Sequence, residues 1–320
     1  MDHESCIAEV ATIDTETDEI KVFSLIPESA SFLEYISPGS HIDVYIGDLV
    51  RQYSLCNGPL TKDFLQIAVK KEENSGGGSR SMHENVKIGQ HLKIGLPRNH
   101  FPLISNASEY ILIAGGIGIT PLLSMARHLF AQGRKFTLVY FARSAEHAAF
   151  RQELSEPDMK EHIKLFYGLN PAETRQKIDN LLGSPQPDTH VYACGPKPFL
   201  DEIIAITDST WPKENVHFEY FQAAPITNDK ENKSFKVKLS RTGEIFEIPP
   251  EKTIAEVLKE NNVPVDLSCD QGICGTCLTA VLEGTPDHRD EMLSPDIRDE
   301  GQIMTICVSR SKSDMLVLDL

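Results

Sequence analysis

Four cysteines in the last fifth of the chain have a spacing that suits inorganic chemistry. Cys269, Cys274 and Cys277 read C-x4-C-x2-C, and 29 residues separate Cys277 from Cys307. That is the plant-type [2Fe–2S] pattern. A cluster held by four thiolates carries net negative charge, and its sulfides need hydrogen-bond donors. Gly272 and Gly275, interleaved with the cysteines, allow the backbone to bend tightly and turn N–H groups inward. Cys307 is expected to come from a distant element, Ile303–Val308, and to close the site. Zinc favours two C-x2-C pairs, and only one exists here. Four inert core cysteines would require no such spacing.

The other segments able to do chemistry are rich in glycine or end strands. Gly115-Gly116-Ile117-Gly118-Ile119-Thr120-Pro121 follows the apolar run Tyr110–Ala114 and precedes a helical pattern. Such a turn lets a pyrophosphate approach the backbone. Thr120 is expected to cap the helix, Pro121 suits its first turn, and the helix N-terminus would face the phosphates. The motif is not G-x-G-x-x-G, because Pro121 fills the last position. A glycine-rich turn can also be purely structural. In Ser75-Gly76-Gly77-Gly78-Ser79-Arg80, several N–H groups and a hydroxyl can face one anion, or the segment is a flexible hairpin loop. Arg51-Gln52-Tyr53-Ser54 lies on a strand whose alternation sends Arg51 and Tyr53 to one face and Gln52 and Ser54 to the other. A guanidinium there can grip a phosphate or simply lie on the surface. Cys194-Gly195-Pro196 ends a further apolar strand, where a cysteine is ordinarily a packing residue.

These segments need elements to position them. The first hundred residues show short alternating runs (Ser5–Ala11, Ile20–Leu25, His41–Ile46, Gln52–Cys56 and Phe64–Lys70) separated by Gly, Pro, Asn and Asp, which predicts an antiparallel barrel or sandwich. From about Ser105 the apolar runs Tyr110–Ala114, Phe136–Phe141, Ile163–Tyr167 and Thr189–Ala193 alternate with helical stretches, the first over Pro121–Gln132. That is the signature of a parallel sheet. Residues 228–233 are wholly polar and read as a linker. A hairpin of Phe235–Leu239 and Glu244–Ile248 follows, then a helix opened by Thr253 and Glu256. The expected organisation is multidomain, α+β and α/β: residues 1–104, 105–227 and 234–320.

The totals exclude other classes. A formal charge of −16 with no basic stripe argues against nucleic acid. The first six residues lack a basic region followed by an apolar stretch, so no signal peptide is expected. The most apolar segment, Ile111–Met125, is broken by glycines and a proline and is too short to span a bilayer. Seven cysteines is an odd number and a sparse one, against a secreted disulfide framework and for a reducing, cytoplasmic setting.

With these motifs in order, residues 234–320 resemble a plant-type ferredoxin domain, and essentially the whole chain resembles the phthalate dioxygenase reductase family, which includes vanillate demethylase reductases. The resemblance implies an antiparallel β-barrel flavin domain, a parallel-sheet nicotinamide domain and a β-grasp ferredoxin domain, with FMN, NADH and a [2Fe–2S] cluster as redox groups. It makes Arg51, Gln52, Tyr53 and Ser54 the R-x-Y-S flavin motif. Gly77, Gly78, Ser79 and Arg80 become the FMN phosphate loop, entered from Ala68, Val69 and Lys70. It places the dinucleotide at Gly115, Gly116, Gly118, Thr120 and Pro121, and the nicotinamide at Cys194, Gly195 and Pro196. Arg143 and Glu146 pull opposite ways on the adenosine ribose, and the family implies NADH. Ser54, Cys194 and Glu219 are expected to shape the hydride step, with Phe221 reaching back over the flavin. The implied path runs from NADH to FMN to [2Fe–2S] to a Rieske-type non-haem iron oxygenase acting on an aromatic acid. The protein is expected to be a monomer with no nucleic-acid or membrane partner. Residues 234–320 carry 16 acidic against 9 basic side chains, a difference of −7 that suits docking on a basic face. The alternatives are a stand-alone flavin reductase or diaphorase, and a non-enzymatic redox sensor.

Overall fold

Alternation in the first hundred residues produces six strands in a computed structural model that describes residues 5–47, 49–58, 60–61, 63–72, 77–221, 232–267, 269–290, 292–293 and 295–320. They are β1 (Ser5–Thr15), β2 (Ile20–Pro27), β3 (His41–Ile46), β4 (Leu49–Ser54), β5 (Leu65–Lys70) and, after helix α1 (Gly78–Glu84), β6 (His91–Gly95). Their order is β4-β3-β6-β1-β2-β5, with every pairing antiparallel. One bridge, Leu55 to Ile67, joins the two ends of this order and nearly closes a barrel. That bridge bears on where the fourth strand ends. The fourth strand was expected over Gln52–Cys56, but regular pairing with β3 ends at Ser54 because Leu55 and Cys56 have turned towards β5. Phe23, Leu25, Ile42, Val44, Leu65 and Ile67 fill the interior.

The run Tyr110–Ala114 forms β7 (Glu109–Gly115), followed by α2 (Ile119–Ala131), β8 (Phe136–Ala142), two short helices α3 (Arg151–Leu154) and α4 (Pro157–Lys160), β9 (Ile163–Tyr167), α5 (Pro171–Leu182), β10 (Thr189–Cys194), α6 (Lys197–Thr207) and β11 (Val216–Glu219). The sheet order is β11-β10-β7-β8-β9, all parallel. Alternate residues of β7 enter different cores. Leu112 and Ala114 pack with α2 residues Leu122 and Leu123, while Ile111 and Ile113 pack with Ile178 of α5 and Ile203 of α6. A strand covered on both faces has no place for polar side chains, which is why its sequence is continuously apolar. Barrel and parallel sheet belong to one compact unit, Met1–Phe221.

The second compact unit is Gln222–Leu320. Of the expected linker, only Asn232 and Lys233 fall within the described residues. Strands β12 (Phe235–Leu239) and β13 (Ile245–Ile248) form the hairpin, and helix α7 (Ile254–Glu260) follows. The capping box is complete: Thr253 Oγ1 accepts from Glu256 N at 3.1 Å, and Glu256 Oε2 accepts from Thr253 N at 2.7 Å. Then come β14 (Leu278–Glu283), β15 (Pro286–Asp287), α8 (Pro295–Glu300), β16 (Ile303–Thr305), β17 (Arg310–Ser311) and β18 (Met315–Leu318). The main sheet runs β13-β12-β18-β14-β16, with β12 and β18 parallel in an otherwise antiparallel order. Ile254 and Leu258 of α7 pack on Val237, Leu239, Leu316 and Leu318, giving the β-grasp arrangement of one helix held across a mixed sheet. Among the described residues no helix is long and apolar enough to cross a membrane.

Candidate functional site

Pairing of β3 with β4 sets the flavin motif. Arg51 and Tyr53 lie opposite Val44 and Ile42, while Gln52 and Ser54 lie opposite Asp43 and His41, as alternation predicts. Arg51 runs against the glycine loop: a Cβ on Gly78 would fall 2.6 Å from Arg51 Cγ. Gly77 sits at φ +87°, a conformation that favours glycine. The loop is tied to the residues following β5 by Glu72 N–H, which donates to Ser79 Oγ at 3.1 Å. Lys70 Nζ is 2.6 Å from Glu72 Oε1. Ser75 and Gly76 lie outside the described residues. Gln52 Nε2 is enclosed with no protein acceptor. An unmatched buried donor beside a glycine cradle and a guanidinium fits a bound group rich in carbonyl and phosphate oxygens, as FMN is. Burial raises the Tyr53 phenol well above its ordinary value, so it stays neutral.

The nucleotide loop leaves β7 with Gly116 at φ +57°. The expected cap is corrected here. The helix begins at Ile119 with Gly118 at its start, so Thr120 lies inside the first turn and its hydroxyl donates to the Ile117 carbonyl at 3.1 Å. Pro121 is still in the first turn, where its missing N–H leaves no bond unmade. Parallel pairing sets Ala114 beside Cys194, and the two loops beyond them touch through their backbones. A Cβ on Gly118 would lie 2.2 Å from the Cys194 carbonyl oxygen, and one on Gly195 would lie 3.1 Å from Gly115 Cα. Pro196 then opens the way into α6. At the end of β8, Arg143 Nη2 is 2.5 Å from Glu19 Oε2.

Strand β11 brings the acidic residue to this place, since Glu219 pairs with Cys194. Ser54 Oγ is 3.5 Å from Glu219 Oε2, at the outer limit of a hydrogen bond. Glu219 keeps some residue exposure, but its carboxyl is enclosed, and burial pushes it up to about 8 against the lowering effect of the Ser54 hydroxyl. Cys194 is fully buried. Its thiol is pushed well up, by burial first and by the Glu219 charge second. Phe221 packs on the core that holds Ile20, Ala68 and Cys194. So Ser54, Cys194 and Glu219, from three strands of two sheets, stand together.

In the second unit the cysteines come in pairs. Cys277 Sγ and Cys307 Sγ are 3.1 Å apart, and Cys269 and Cys274 are hydrogen-bonded to each other. The pairs are near enough for Cys269 to act electrostatically on Cys307. Among the described residues no three His, Cys, Asp or Glu side chains converge on a single-ion site. Two sulfur pairs fit two irons better than one. In each pair one thiol is lowered by its partner: Cys274 to about 5, chiefly through its bond with Cys269, and Cys277 through its bond with Cys307. Backbone donors supplement them. Gln271 N–H reaches Cys269 Sγ at 3.3 Å, and the Gly272 backbone bonds Cys307. Gly272 and Gly275 have φ of +70° and +72°, as the sequence predicts. Cys307 lies in the turn that follows β16, within the expected stretch Ile303–Val308. None of the seven cysteines is in a disulfide.

Sequence reasoning missed the contacts that join the barrel to the nucleotide lobe. Arg127 of α2 donates to the Cys56 carbonyl at 2.9 Å and to Gln66 Oε1 at 3.0 Å, and it pairs with Glu153 through two bonds of 2.6 and 2.7 Å. Ser124 Oγ donates to the Asn57 carbonyl at 2.9 Å. An arginine on a predicted helix carries no signal of this kind, because its partners lie 26 to 71 residues away.

Comparison with known proteins agrees with both units. Residues 237–312 match the 2Fe-2S iron-sulfur cluster binding domain and residues 112–204 the oxidoreductase NAD-binding domain. The chain is 41% identical to vanillate O-demethylase oxidoreductase of Pseudomonas putida over 98% of its own length and 99% of that protein's. It is likewise 41% identical to oxidoreductase NdmD of Pseudomonas putida, of which it spans about half, 53%. A solved structure of phthalate dioxygenase reductase, a modular structure for electron transfer from pyridine nucleotides to [2Fe–2S], superimposes with a TM-score of 0.75 at 39% identity, covering 99% of this chain and 98% of that one. Fold and site define an oxidoreductase that joins an antiparallel barrel and a nicotinamide lobe to a ferredoxin domain. The chain belongs to the family of phthalate dioxygenase and vanillate O-demethylase reductases. The two matched domains are those of an NAD-binding lobe and a 2Fe-2S centre.

Proposed function

We propose that this chain is the NADH-dependent reductase component of a Rieske-type non-haem iron oxygenase system that hydroxylates or demethylates an aromatic acid, working as a cytoplasmic monomer. Residues 1–104 act as the flavin domain, 105–227 as the nicotinamide domain and 234–320 as the ferredoxin, with 228–233 as linker. The observation that carries the reading is the meeting of Ser54, Cys194 and Glu219 between the two halves of the first unit. When bound, FMN converts the paired electrons of a hydride into the single electrons that an iron–sulfur cluster accepts. The chain's own residues do the rest. Arg51, Gly77, Gly78, Ser79 and Arg80 hold the flavin phosphate, and Lys70 with Ala68 and Val69 forms the strand beside it. Gln52 and Tyr53 meet the ring system. Gly115, Gly116, Gly118, Thr120 and Pro121 admit the pyrophosphate to the start of α2, Arg143 reaches the ribose, and Gly195 and Pro196 wall the nicotinamide. Cys194 is held as a neutral thiol and Glu219 as a protonated acid at neutral pH, so neither puts a charge beside the reacting rings. Ser54 can then donate towards the flavin instead of towards a carboxylate. Phe221 screens the site from water. Cys269, Cys274, Cys277 and Cys307 ligate the cluster.

The test is electron delivery. NADH added anaerobically to purified protein should bleach the flavin and then the cluster, and transfer to a purified oxygenase should weaken as salt rises, because the acceptor docks on an acidic face. Equal rates with any small acceptor would mean a free-standing diaphorase. Negligible turnover with cytochrome c would mean a redox sensor.

A further inference from the structure

The hydride step needs two half-sites held at a fixed distance. The flavin half ends at Ser54, and the nucleotide half begins at the loop preceding α2. Between them the chain leaving β4 is pinned at every residue. Leu55 N–H donates to the Ser40 carbonyl at 2.8 Å, and Cys56 N–H donates to the Gln66 carbonyl at 2.8 Å. Asn57 accepts from Gln66 N–H at 2.8 Å and donates to the Phe64 carbonyl at 2.7 Å. The carbonyls of Cys56 and Asn57 then face α2, where Arg127 and Ser124 take them.

Arg127 is the hub of this seam. One terminal nitrogen bridges two barrel elements, the Cys56 carbonyl and the Gln66 side chain. The other two guanidinium nitrogens grip both oxygens of Glu153, on α3 beyond β8. The ring centroid of Phe150, in the same connection, lies 5.8 Å from the guanidinium carbon, and the residue is held from the barrel side, where Glu16 accepts its N–H at 2.8 Å. A planar guanidinium satisfied along all its edges fixes position and direction together, which an ammonium cannot do.

We propose that Arg127 is a positioning residue for hydride transfer: it locks the strand end that carries Ser54 to the helix whose first turn carries the pyrophosphate loop. The inference rests on the reading of this unit as the flavin–nicotinamide site. Arg127 lies eight positions after Ile119, so about 12 Å of rigid helix separates it from the loop. It touches neither cofactor's proposed residues directly, and it acts through the gap between them.

The test compares wild type, Arg127→Met, Arg127→Lys and Glu153→Gln, all flavin-loaded, in anaerobic rapid mixing with NADH and with NADH deuterated at C4. In Arg127→Met the limiting rate of flavin reduction should fall about tenfold to a hundredfold, with the NADH concentration at half-saturation within about twofold of wild type. The deuterium isotope effect should rise towards its full value. Electron delivery after chemical reduction should stay unchanged. Arg127→Lys, which keeps the charge but loses the fork, should recover only part of the rate. Amide exchange in the cofactor-free chain supplies a second readout: Leu55 and Cys56 should exchange faster in Arg127→Met and in Glu153→Gln. Should Arg127→Met not fold, Glu153→Gln, which leaves the bonds to Cys56 and Gln66 in place, must still slow flavin reduction about threefold or more. A limiting rate equal to wild type in these variants overturns the proposal, and so does a rate loss matched by loss of flavin or by weakened NADH binding. If NADH fails to reduce the wild-type flavin, the functional reading itself falls and the proposal with it. Normal reduction in wild type with unchanged variants removes the positioning role alone.

Discussion

Gly118 and Cys194 approach so closely that a single methyl group on the glycine would sit 2.2 Å from the cysteine's carbonyl oxygen. Backbone conformation does not demand glycine there, because Gly118 has φ near −61°. Space does. Gly118→Ala should force the two loops apart, at a stability cost of about 1–3 kcal/mol. It should also raise the NADH concentration at half-saturation by about tenfold or more while leaving the flavin bound. Titration of flavin reduction against NADH checks this, and an unchanged midpoint would show that the loops need not touch.

Glu219 gives a pH prediction with a definite sign. Its carboxyl ionises at about 8 in the folded chain against the ordinary 4.5. The native state therefore binds the extra proton, and its stabilising effect is complete below the ordinary value and lost as pH rises through about 8. Glu219→Gln removes that loss. The variant should gain thermal stability relative to wild type as pH goes from 5 to 9, by less than the full shift implies because the residue keeps solvent contact. The pH profile of flavin reduction should lose an ionisation near 8 in the same variant.

Cys274→Ser should abolish one-electron delivery to a protein acceptor while NADH still reduces the flavin, since the first unit does not contain this residue. Absorbance spectra should show the yellow flavin without the red-brown cluster. Delivery at the wild-type rate would exclude the cluster from the path. Gly272→Ala should act more mildly. Its φ of +70° and the 2.5 Å approach of a Cβ to Val308 Cγ2 should cost about 1–3 kcal/mol and speed cluster loss to a chelator.

Arg143, the residue proposed to reach the ribose, is paired with Glu19. An exposed pair adds little stability, so Glu19→Gln should leave the melting temperature nearly unchanged. Released from the carboxylate, Arg143 becomes available to a 2′-phosphate. Efficiency with NADPH relative to NADH should rise several-fold, as measured by kcat/KM for both nucleotides. A constant ratio would mean that Arg143 does not face the ribose.

Legibility in the sequence followed the distance along the chain over which each feature is decided. The Thr253–Glu256 capping box, the apolar strand Tyr110–Ala114 and the two glycines of the cysteine loop were readable because each is settled within a few residues. Element ends were less so. β4 stops at Ser54 because barrel closure turns Leu55 towards Ile67, and Thr120 is not a cap because Gly118, pressed against Cys194, already starts the turn. Both boundaries depend on partners remote in sequence.

By itself the sequence determined the cysteine spacing, the glycine turns and the class of each sheet, since residue spacing, backbone freedom and hydrophobic period are properties of short stretches. Only the tertiary structure decided that Ser54 meets Glu219, 165 residues away, and that Arg127 holds Cys56. It also decided that Glu19 neutralises Arg143. Those meetings depend on strand register and on how one sheet packs against another, and burial at the resulting junction, not any local signal, is what keeps a carboxylic acid protonated beside Ser54 and Cys194.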